Sequence, residues 1–174
     1  MNKGHLFLVG LRGTGKSTVG RLLAEKRDMP FVDTDERLEQ LAGCSIAEIF
    51  AAEGEPGFRK RESDLLTSLI TLPASVIASG GGIVISAENR ELLKSNGYCV
   101  WLTASPEIIF QRLESDPITA ARRPSLTTYG GLDEIRQLQE VREPLYREIA
   151  NLQIATDDKS PAEVVFAILS AWTG

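Results

Sequence analysis

Residues 10–18 read GLRGTGKST and directly follow the apolar run HLFLV at residues 5–9. The stretch fits the phosphate-loop pattern G-x-x-x-x-G-K-[ST], with Gly10 and Gly15 as its glycines, followed by Lys16 and Ser17. The pattern requires a strand before it and a helix after it, and here HLFLV precedes it while TVGRLLAEK follows it. The stretch therefore predicts an α/β fold built around a loop that binds phosphate groups.

Such a loop acts through its backbone as well as its side chains. Glycines allow backbone N–H groups to point inward around phosphate oxygens at the N-terminus of the following helix. The motif assigns Lys16 to the β- and γ-phosphates of a nucleotide and Ser17 to Mg²⁺. An ordinary glycine-rich turn is the alternative, and the complete motif between a strand and a helix makes it the weaker interpretation.

The rest of the chain alternates short apolar runs with segments of helical period, which is the pattern of a parallel sheet covered by helices. The predicted strands are HLFLV (5–9), FVD (31–33), SVIAS (75–79), YCVWL (98–102) and LQIAT (152–156). Ser45 with Glu48, and Ser160 with Glu163, have the spacing of a capping box at a helix start. We expect one domain over residues 1–174, with a five-stranded parallel sheet flanked by helices.

Composition limits the class of protein. The chain has 174 residues, 43% of them hydrophobic and 25% charged, as in ordinary globular domains. Apolar runs such as VVFAIL are far shorter than the ~20 residues of a membrane-spanning helix, and the N-terminus reads as a first strand rather than a signal peptide. A net charge of -5 argues against broad nucleic-acid binding. Cys44 and Cys99 lack metal-ligand spacing. We expect a cytoplasmic protein without nucleic-acid or membrane partners.

Two carboxylates stand at the end of the predicted second strand, in FVDTDE. Residues two apart on an extended segment point the same way, so Asp33 and Asp35 are expected to face one site. We assign Asp33 to the metal, through water, and Asp35 to the phosphoryl acceptor. Helix-capping acids are the alternative, which accounts for one of the pair. The sequence has no Asn-Lys-x-Asp stretch for guanine, and neither the third nor the fourth strand is followed directly by two adjacent acidic residues, as a strand is in many ATP-driven motors, which favours a small kinase.

Further features point to the acceptor. Arg59 and Arg61 follow a predicted Pro-Gly turn in GEPGFRKRE, and one of them could pair with an anionic substrate. Gly80 to Gly82, in SGGG, end the third strand at the sheet edge where α/β proteins bind ligands. These glycines would let a small substrate lie against backbone N–H groups, although a tight turn would also use glycine. The segment 115–131 has no clear period and carries two adjacent arginines, which favours a lid.

Taken together, GLRGTGKST, FVDTD, GEPGFRKRE, SGGG, RRP and REPLYREIA closely resemble the shikimate kinase family in order and spacing, over essentially the whole chain. The resemblance implies a three-layer P-loop kinase fold like that of nucleoside monophosphate kinases, with a substrate-binding region at about 33–62 and a lid at about 114–131. It implies transfer of the γ-phosphoryl of ATP to the 3-hydroxyl of shikimate, on the chorismate route to aromatic amino acids. Mg²⁺ is the implied cofactor, and we expect a monomer.

The resemblance also implies the roles of individual residues. Asp35 would bind shikimate hydroxyls and accept the proton, and Arg123 would close over the transferring phosphate, although Arg122 competes for that role. The implied catalytic residues are Lys16, Asp35 and Arg123; the implied shikimate ligands are Asp35, Arg59, Gly80, Gly81, Gly82 and Arg142. The implied nucleotide ligands are Gly13, Thr14, Gly15, Lys16, Ser17, Thr18, Arg112, Arg123 and Lys159, and the implied metal ligands are Ser17 and Asp33.

Two other functions remain open. A kinase of another small hydroxylated acid, such as gluconate, would share the phosphate loop and the strand-two aspartate, but the pair Arg59 and Arg142 with the triple glycine favours shikimate. A nucleotide-binding module without catalysis is the second alternative. Every expected catalytic position is filled, which argues against it.

Overall fold

The computed structural model describes residues 4–116 and 131–173. These residues form five strands and seven helices. In chain order they are β1 His5–Val9, α1 Lys16–Arg27, β2 Phe31–Asp33, α2 Thr34–Ala42, α3 Ile46–Leu69, β3 Val76–Ala78, α4 Ala87–Asn96, β4 Gly97–Thr103, α5 Pro106–Glu114, α6 Gly131–Ile149, β5 Leu152–Ala155 and α7 Pro161–Ala171. All five predicted strands are confirmed, and their ends shift by at most one residue.

The strands form one sheet in the order β2-β3-β1-β4-β5, and every neighbouring pair is parallel. β1 is the central strand, and all five of its residues are buried. Burial on both faces explains why HLFLV is a continuous apolar run rather than an alternating one. The chain order reverses beside β1, which has β3 on one side and β4 on the other. The phosphate loop therefore leaves the sheet at the switch point where open α/β sheets bind ligands.

Each face of the sheet has its own hydrophobic core. Phe7 and Val9 of β1 belong to one core, whereas Leu6 and Leu8 belong to the other, because successive strand residues point to opposite faces. The first core includes residues of α3, α4 and α6, and the second includes residues of α1 and α7. The predicted three-layer architecture is confirmed. Within residues 4–116 and 131–173, no helix is both long and apolar enough to span a membrane.

Helix starts follow the predicted signals. Ser45 caps the N-terminus of α3 and Ser160 caps that of α7, each with both hydrogen bonds of a capping box. These bonds from Ser45 and Ser160 lower the pKa of the Glu48 and Glu163 carboxyls, respectively.

The predicted Pro-Gly turn before Arg59 is wrong. α3 is kinked instead at Gly54, which has φ 69 and ψ -176, and helix continues through Pro56. Proline fits there because the N–H groups at the start of the second helical segment have no intrahelical acceptor. The kink brings together Glu53 and Arg61, whose Oε1 and Nη2 atoms lie 2.6 Å apart. In a straight helix eight residues would span about 12 Å.

The predicted lid lies largely outside the residues that the structure describes. Helix α5 ends at Glu114 and α6 begins at Gly131. Arg122 and Arg123 belong to the segment between them, outside the described residues.

Candidate active site

The phosphate loop connects β1 to α1 and has a backbone that requires glycine. Gly10, Gly13 and Gly15 have φ values of 142, 83 and 96. L-residues rarely adopt such conformations. At Gly10 space is lacking as well, because an ideal Cβ would lie 2.3 Å from the backbone oxygen of Leu102. The glycines of the motif are therefore explained by loop geometry before any ligand is considered.

Lys16 is the first residue of α1 and is only 9% exposed. Its Nζ donates hydrogen bonds to the backbone oxygens of Gly10 and Leu11, each at 2.8 Å. The loop itself thus holds the ammonium group, which lines the cleft together with Gly15 and Ser17. A positive charge and a helix N-terminus meet at this point, which is the arrangement that attracts phosphate.

Asp33, the last residue of β2, serves two neighbours with its two oxygens. Oδ2 accepts a hydrogen bond from the Ser17 hydroxyl. Oδ1 accepts bonds from the backbone N–H groups of Asp35 and Glu36, at 3.0 and 3.2 Å, and so caps α2. The capping and metal interpretations of Asp33 are therefore compatible in one side chain.

The Ser17 and Asp33 pair fits a magnesium ion. Mg²⁺ prefers oxygen ligands and is commonly bound through one or two carboxylates together with substrate phosphates. Among the described residues, no cluster of three or more His, Cys, Asp or Glu side chains is arranged to hold a metal. The adjoining hydroxyl and carboxylate at the phosphate loop thus supply a partial ligand set of the kind that a nucleotide's phosphates complete.

The structure corrects the geometry predicted for Asp35. This residue lies in the first turn of α2, not on an extended strand, so the argument from strand alternation was wrong. The turn nevertheless leaves Asp33 and Asp35 lining one cleft of about 790 Å³. The residues that line this cleft are Arg12, Gly13, Gly15, Lys16, Ser17, Thr18, Arg21, Leu22, Asp33, Asp35, Glu36, Ile46, Ser79, Gly81, Asp116 and Pro161.

Arg59 reaches from α3 to the glycine segment after β3. An ideal Cβ on Gly82 would lie 2.1 Å from Nη1 of Arg59, so the guanidinium occupies the space that a side chain would need. Nη1 donates to Oε2 of Glu62 at 2.8 Å, and Nη2 lies 3.2 Å from Oε1 of Glu55. Arg61 instead pairs with Glu53 and is 42% exposed. Of the two arginines that the sequence offered, the structure brings Arg59 to the glycines.

Glu62 is a residue of this site that the sequence reasoning missed. It is 1% exposed, whereas the other carboxylate partner of Arg59, Glu55, has a side chain that is 53% exposed. Its position three residues after Arg59, on the same helical face, was the available signal. Burial strengthens the ion pair between Glu62 and Arg59, and the stretch FRKRE alone did not show that Glu62 would be buried.

Arg142 approaches the same glycine segment from α6 and is 5% exposed. Its Nη1 would lie 3.5 Å from a Cβ on Gly81. One turn further along α6, the Tyr146 hydroxyl donates to the backbone oxygen of Gly81 at 2.5 Å. Arg59 and Arg142 therefore approach this segment from two different helices, and the carboxylate clamp stays a prediction.

The glycine segment itself differs from expectation in two respects. It follows β3, which ends at Ala78, rather than ending the strand. The backbone N–H of Gly80 donates to Oγ1 of Thr34 at 2.9 Å, so this N–H holds α2 to the segment instead of facing the cleft. None of Gly80, Gly81 and Gly82 has a positive φ. Position 82 requires glycine because the guanidinium of Arg59 occupies the space of a side chain, and not because of the backbone conformation.

The predicted nucleotide ligands near the end of β5 are arranged differently from one another. The Arg112 guanidinium donates to the backbone oxygens of Gly13 and Thr156, at 3.1 and 2.8 Å. Lys159 is bonded to the neighbouring Asp158 at 3.2 Å, and it is Pro161 that lines the cleft. Arg112 thus contacts the phosphate loop directly, and nucleotide binding by Arg112 and by Lys159 stays a prediction.

Comparisons with known proteins give a consistent result. The sequence profile described as shikimate kinase matches residues 12–173. A shikimate kinase of Rhodopirellula baltica is 47% identical over 167 residues, covering 96% of this chain and 89% of that protein. Shikimate kinase from Acinetobacter baumannii in complex with shikimate has a TM-score of 0.89 and 39% identity, covering 96% of this chain and 91% of that one. A gluconokinase from Sinorhizobium meliloti has a TM-score of 0.63 and 18% identity, with 98% of this chain and 91% of the gluconokinase chain covered. This similarity concerns the fold only.

Proposed function

The chain belongs to the shikimate kinase family, and from that premise we propose how its residues transfer the γ-phosphoryl of ATP to the 3-hydroxyl of shikimate. The observation that carries the proposal is one cleft lined by Lys16 and Ser17 of the phosphate loop, by Asp33 and Asp35, and by Gly81. Donor and acceptor would thus meet at the carboxyl edge of the sheet. The products are ADP and shikimate 3-phosphate.

The phosphate loop holds the donor. Phosphoryl transfer requires mainly positioning of the reactants and stabilisation of the charge on the phosphoryl oxygens. Lys16 supplies a cation whose position the loop fixes, while Gly13, Thr14, Gly15 and Thr18 surround the phosphates. Ser17 and Asp33 would hold Mg²⁺, which when bound neutralises part of the phosphate charge.

The acceptor lies between α2, α3 and α6. Arg59 and Arg142 clamp the shikimate carboxylate, and Gly80 to Gly82 form the surface between them. Asp35 binds the reacting hydroxyl and accepts its proton as the new oxygen–phosphorus bond forms. Its place is fixed by its backbone N–H, which donates to the metal-side carboxylate Asp33 at 3.0 Å. One helix cap therefore joins the assigned metal ligand to the backbone of the assigned proton acceptor.

Three further residues complete the proposal: one acts on the transferring phosphate and two on the nucleoside. Arg123 closes over the transferring phosphate on a lid that excludes water, supported by its place in the Arg-Pro stretch of the family pattern. Arg112 and Lys159 flank the nucleoside. Replacing Arg123 by alanine should lower kcat at least tenfold, whereas the same change at Arg122 should leave kcat within about threefold. The opposite ranking would transfer the role to Arg122.

The activity is tested by an acceptor panel of shikimate, quinate and gluconate with ATP and Mg²⁺. Turnover with shikimate is expected, and turnover confined to gluconate would establish the alternative substrate. Lys16→Ala and Asp35→Asn should each lower kcat strongly with an unchanged circular-dichroism spectrum. A wild-type protein that binds ATP but transfers phosphate to no acceptor would instead be a binding module without catalysis.

We also infer a monomer in the cytoplasm. Lys16, Ser17, Asp33, Asp35 and Gly81 line one cleft within a single chain, which supports a monomer. Light scattering coupled to size-exclusion chromatography tests the monomer, whose expected mass is 19.0 kDa. A dimer that retains full activity would contradict this inference without affecting the reaction.

A further inference from the structure

The carbonyl groups of the phosphate loop need partners on the side away from the cleft. In a planar trans peptide, the C=O of one residue and the N–H of the next point in opposite directions. The N–H of Gly15 therefore faces a phosphate only when the C=O of Thr14 faces the protein interior. Thr14 is 1% exposed, and a buried carbonyl without a hydrogen bond is costly.

Thr156 supplies that hydrogen bond from the end of β5, 142 residues further along the chain. Its Oγ1 lies 3.2 Å from the backbone oxygen of Thr14 and 3.1 Å from that of Thr103. The Thr103 oxygen already accepts the backbone N–H of Thr156 at 2.8 Å. The Thr156 hydroxyl has a single proton, and we assign it to a hydrogen bond with the Thr14 oxygen, because the Thr103 oxygen already has a donor in that N–H. Thr156 is 4% exposed, so water does not replace this bond.

Arg112 orients the Thr156 hydroxyl. Its Nη1 donates to Oγ1 of Thr156 at 3.0 Å, and its Nη2 donates to the backbone oxygen of the same residue at 2.8 Å. Because the guanidinium can only donate, the hydroxyl oxygen must accept there and direct its proton elsewhere. The same Nη1 also reaches the Gly13 oxygen at 3.1 Å. Two consecutive loop carbonyls are therefore held from behind by one linked pair of side chains.

We propose that Thr156 is a positioning residue for the nucleotide phosphates, acting through the Thr14–Gly15 peptide. Its hydroxyl holds the Thr14 carbonyl inward and so aims the N–H of Gly15 at the phosphate that the loop binds. The proposal rests on the nucleotide-binding role of the loop in the proposed function. It adds a residue that touches neither nucleotide nor acceptor, and it predicts an effect confined to phosphate recognition.

Thr156→Val keeps the shape of the side chain and removes the hydroxyl, while Thr156→Ser keeps the hydroxyl. Titration calorimetry with ADP and with adenosine separates phosphate recognition from nucleoside recognition, and neither titration needs shikimate. We expect the valine variant to bind ADP about tenfold more weakly than wild type. Its affinity for adenosine should equal that of wild type. The serine variant should bind ADP with wild-type affinity. KM for shikimate should stay within twofold. Thr71→Val, which removes an exposed hydroxyl bonded to Ser68 at 2.7 Å, is the matched control.

Wild-type ADP affinity in Thr156→Val overturns the proposal. Equal weakening of ADP and adenosine also overturns it, because the effect would then lie in the nucleoside pocket. Where the valine variant fails to fold, Thr156→Cys retains a weak donor and should bind ADP less tightly than wild type; unchanged affinity there counts against the proposal. A wild-type protein that binds ADP but does not phosphorylate shikimate would refute the proposed acceptor and leave the role of Thr156 intact.

Discussion

The guanidinium of Arg59 fills the space beside Gly82 so completely that an ideal Cβ on residue 82 would lie 2.1 Å from Nη1. Arg59 can thus pack against the glycine segment only because residue 82 has no side chain. Arg59 comes from α3 and Gly82 from the segment after β3, so the fit joins two parts of the chain that are distant in sequence. It makes the position of the arginine sensitive to a single methyl group.

Gly82→Ala should push the Arg59 guanidinium from its place, because the arginine is flexible and the backbone is not. We expect KM for shikimate to rise about tenfold, equivalent to about 1.4 kcal/mol, while KM for ATP stays within twofold. The effect should vanish when Gly82→Ala is made in an Arg59→Ala background, because the arginine is then absent. An equal loss in both backgrounds would mean that the methyl group blocks the substrate directly.

Glu62→Gln should harm the enzyme far more than Glu55→Gln, although both carboxylates pair with Arg59. Glu62 is 1% exposed, and removing one partner of a buried ion pair typically costs about 3–5 kcal/mol. The Glu55 side chain is 53% exposed, so its pair is worth about 0–1 kcal/mol. Urea unfolding and KM for shikimate measure both effects. Similar values for the two variants would show that burial does not decide the strength of these contacts.

Asp33→Asn should separate the two roles of Asp33, which both caps α2 and contacts Ser17. We expect activity to require at least tenfold more Mg²⁺, measured by titration with the metal at saturating ATP. Stability should change by less than about 1 kcal/mol, because asparagine caps a helix about as well as aspartate does.

Ser86→Ala is the matched control for Asp33→Asn, since Ser86 caps α4 through Asn89 and does not line the cleft. Loss of this cap should cost about 0.5–2 kcal/mol of stability and leave the Mg²⁺ requirement unchanged. An unaltered Mg²⁺ requirement in Asp33→Asn would remove Asp33 from the metal site.

Asp157 should contribute stability that is lost in acid. Its Oδ1 accepts the backbone N–H of Ser105 at the start of α5, and this bond lowers the pKa of the carboxyl below its ordinary 3.8. A lowered folded-state pKa means that the stabilisation is complete above pH 3.8 and disappears as the pH falls through the folded-state pKa. Because Asp157 is exposed, we expect Asp157→Asn to cost about 0.3–1 kcal/mol at pH 7 and nothing in strong acid.

Thermal unfolding between pH 2 and pH 7 measures that difference. Asp158→Asn is the control, because the Asp158 side chain is 85% exposed and pairs with the adjacent Lys159. A constant gap between Asp157→Asn and wild type at every pH would contradict the assigned cause.

The phosphate loop and the sheet were predictable because they depend on local patterns. A run buried on both faces reads as apolar throughout, and positive φ values at Gly10, Gly13 and Gly15 leave few other residues possible. Capping at Ser45 and Ser160 also involves residues only three apart. Prediction was less successful at Asp35, where the sequence did not show that α2 begins at Thr34, directly after β2 ends at Asp33.

The sequence by itself determined the fold, the family pattern and the residues of the phosphate loop, because each depends on the chemistry of near neighbours along the chain. Only the tertiary structure decided how closely Arg59 packs against Gly82, that Glu62 holds this arginine, and that Thr156 supports the phosphate loop from behind. These choices depend on which side chains become buried together. Burial arises when helices pack on the sheet and bring distant residues into contact, and that is not encoded in any short stretch.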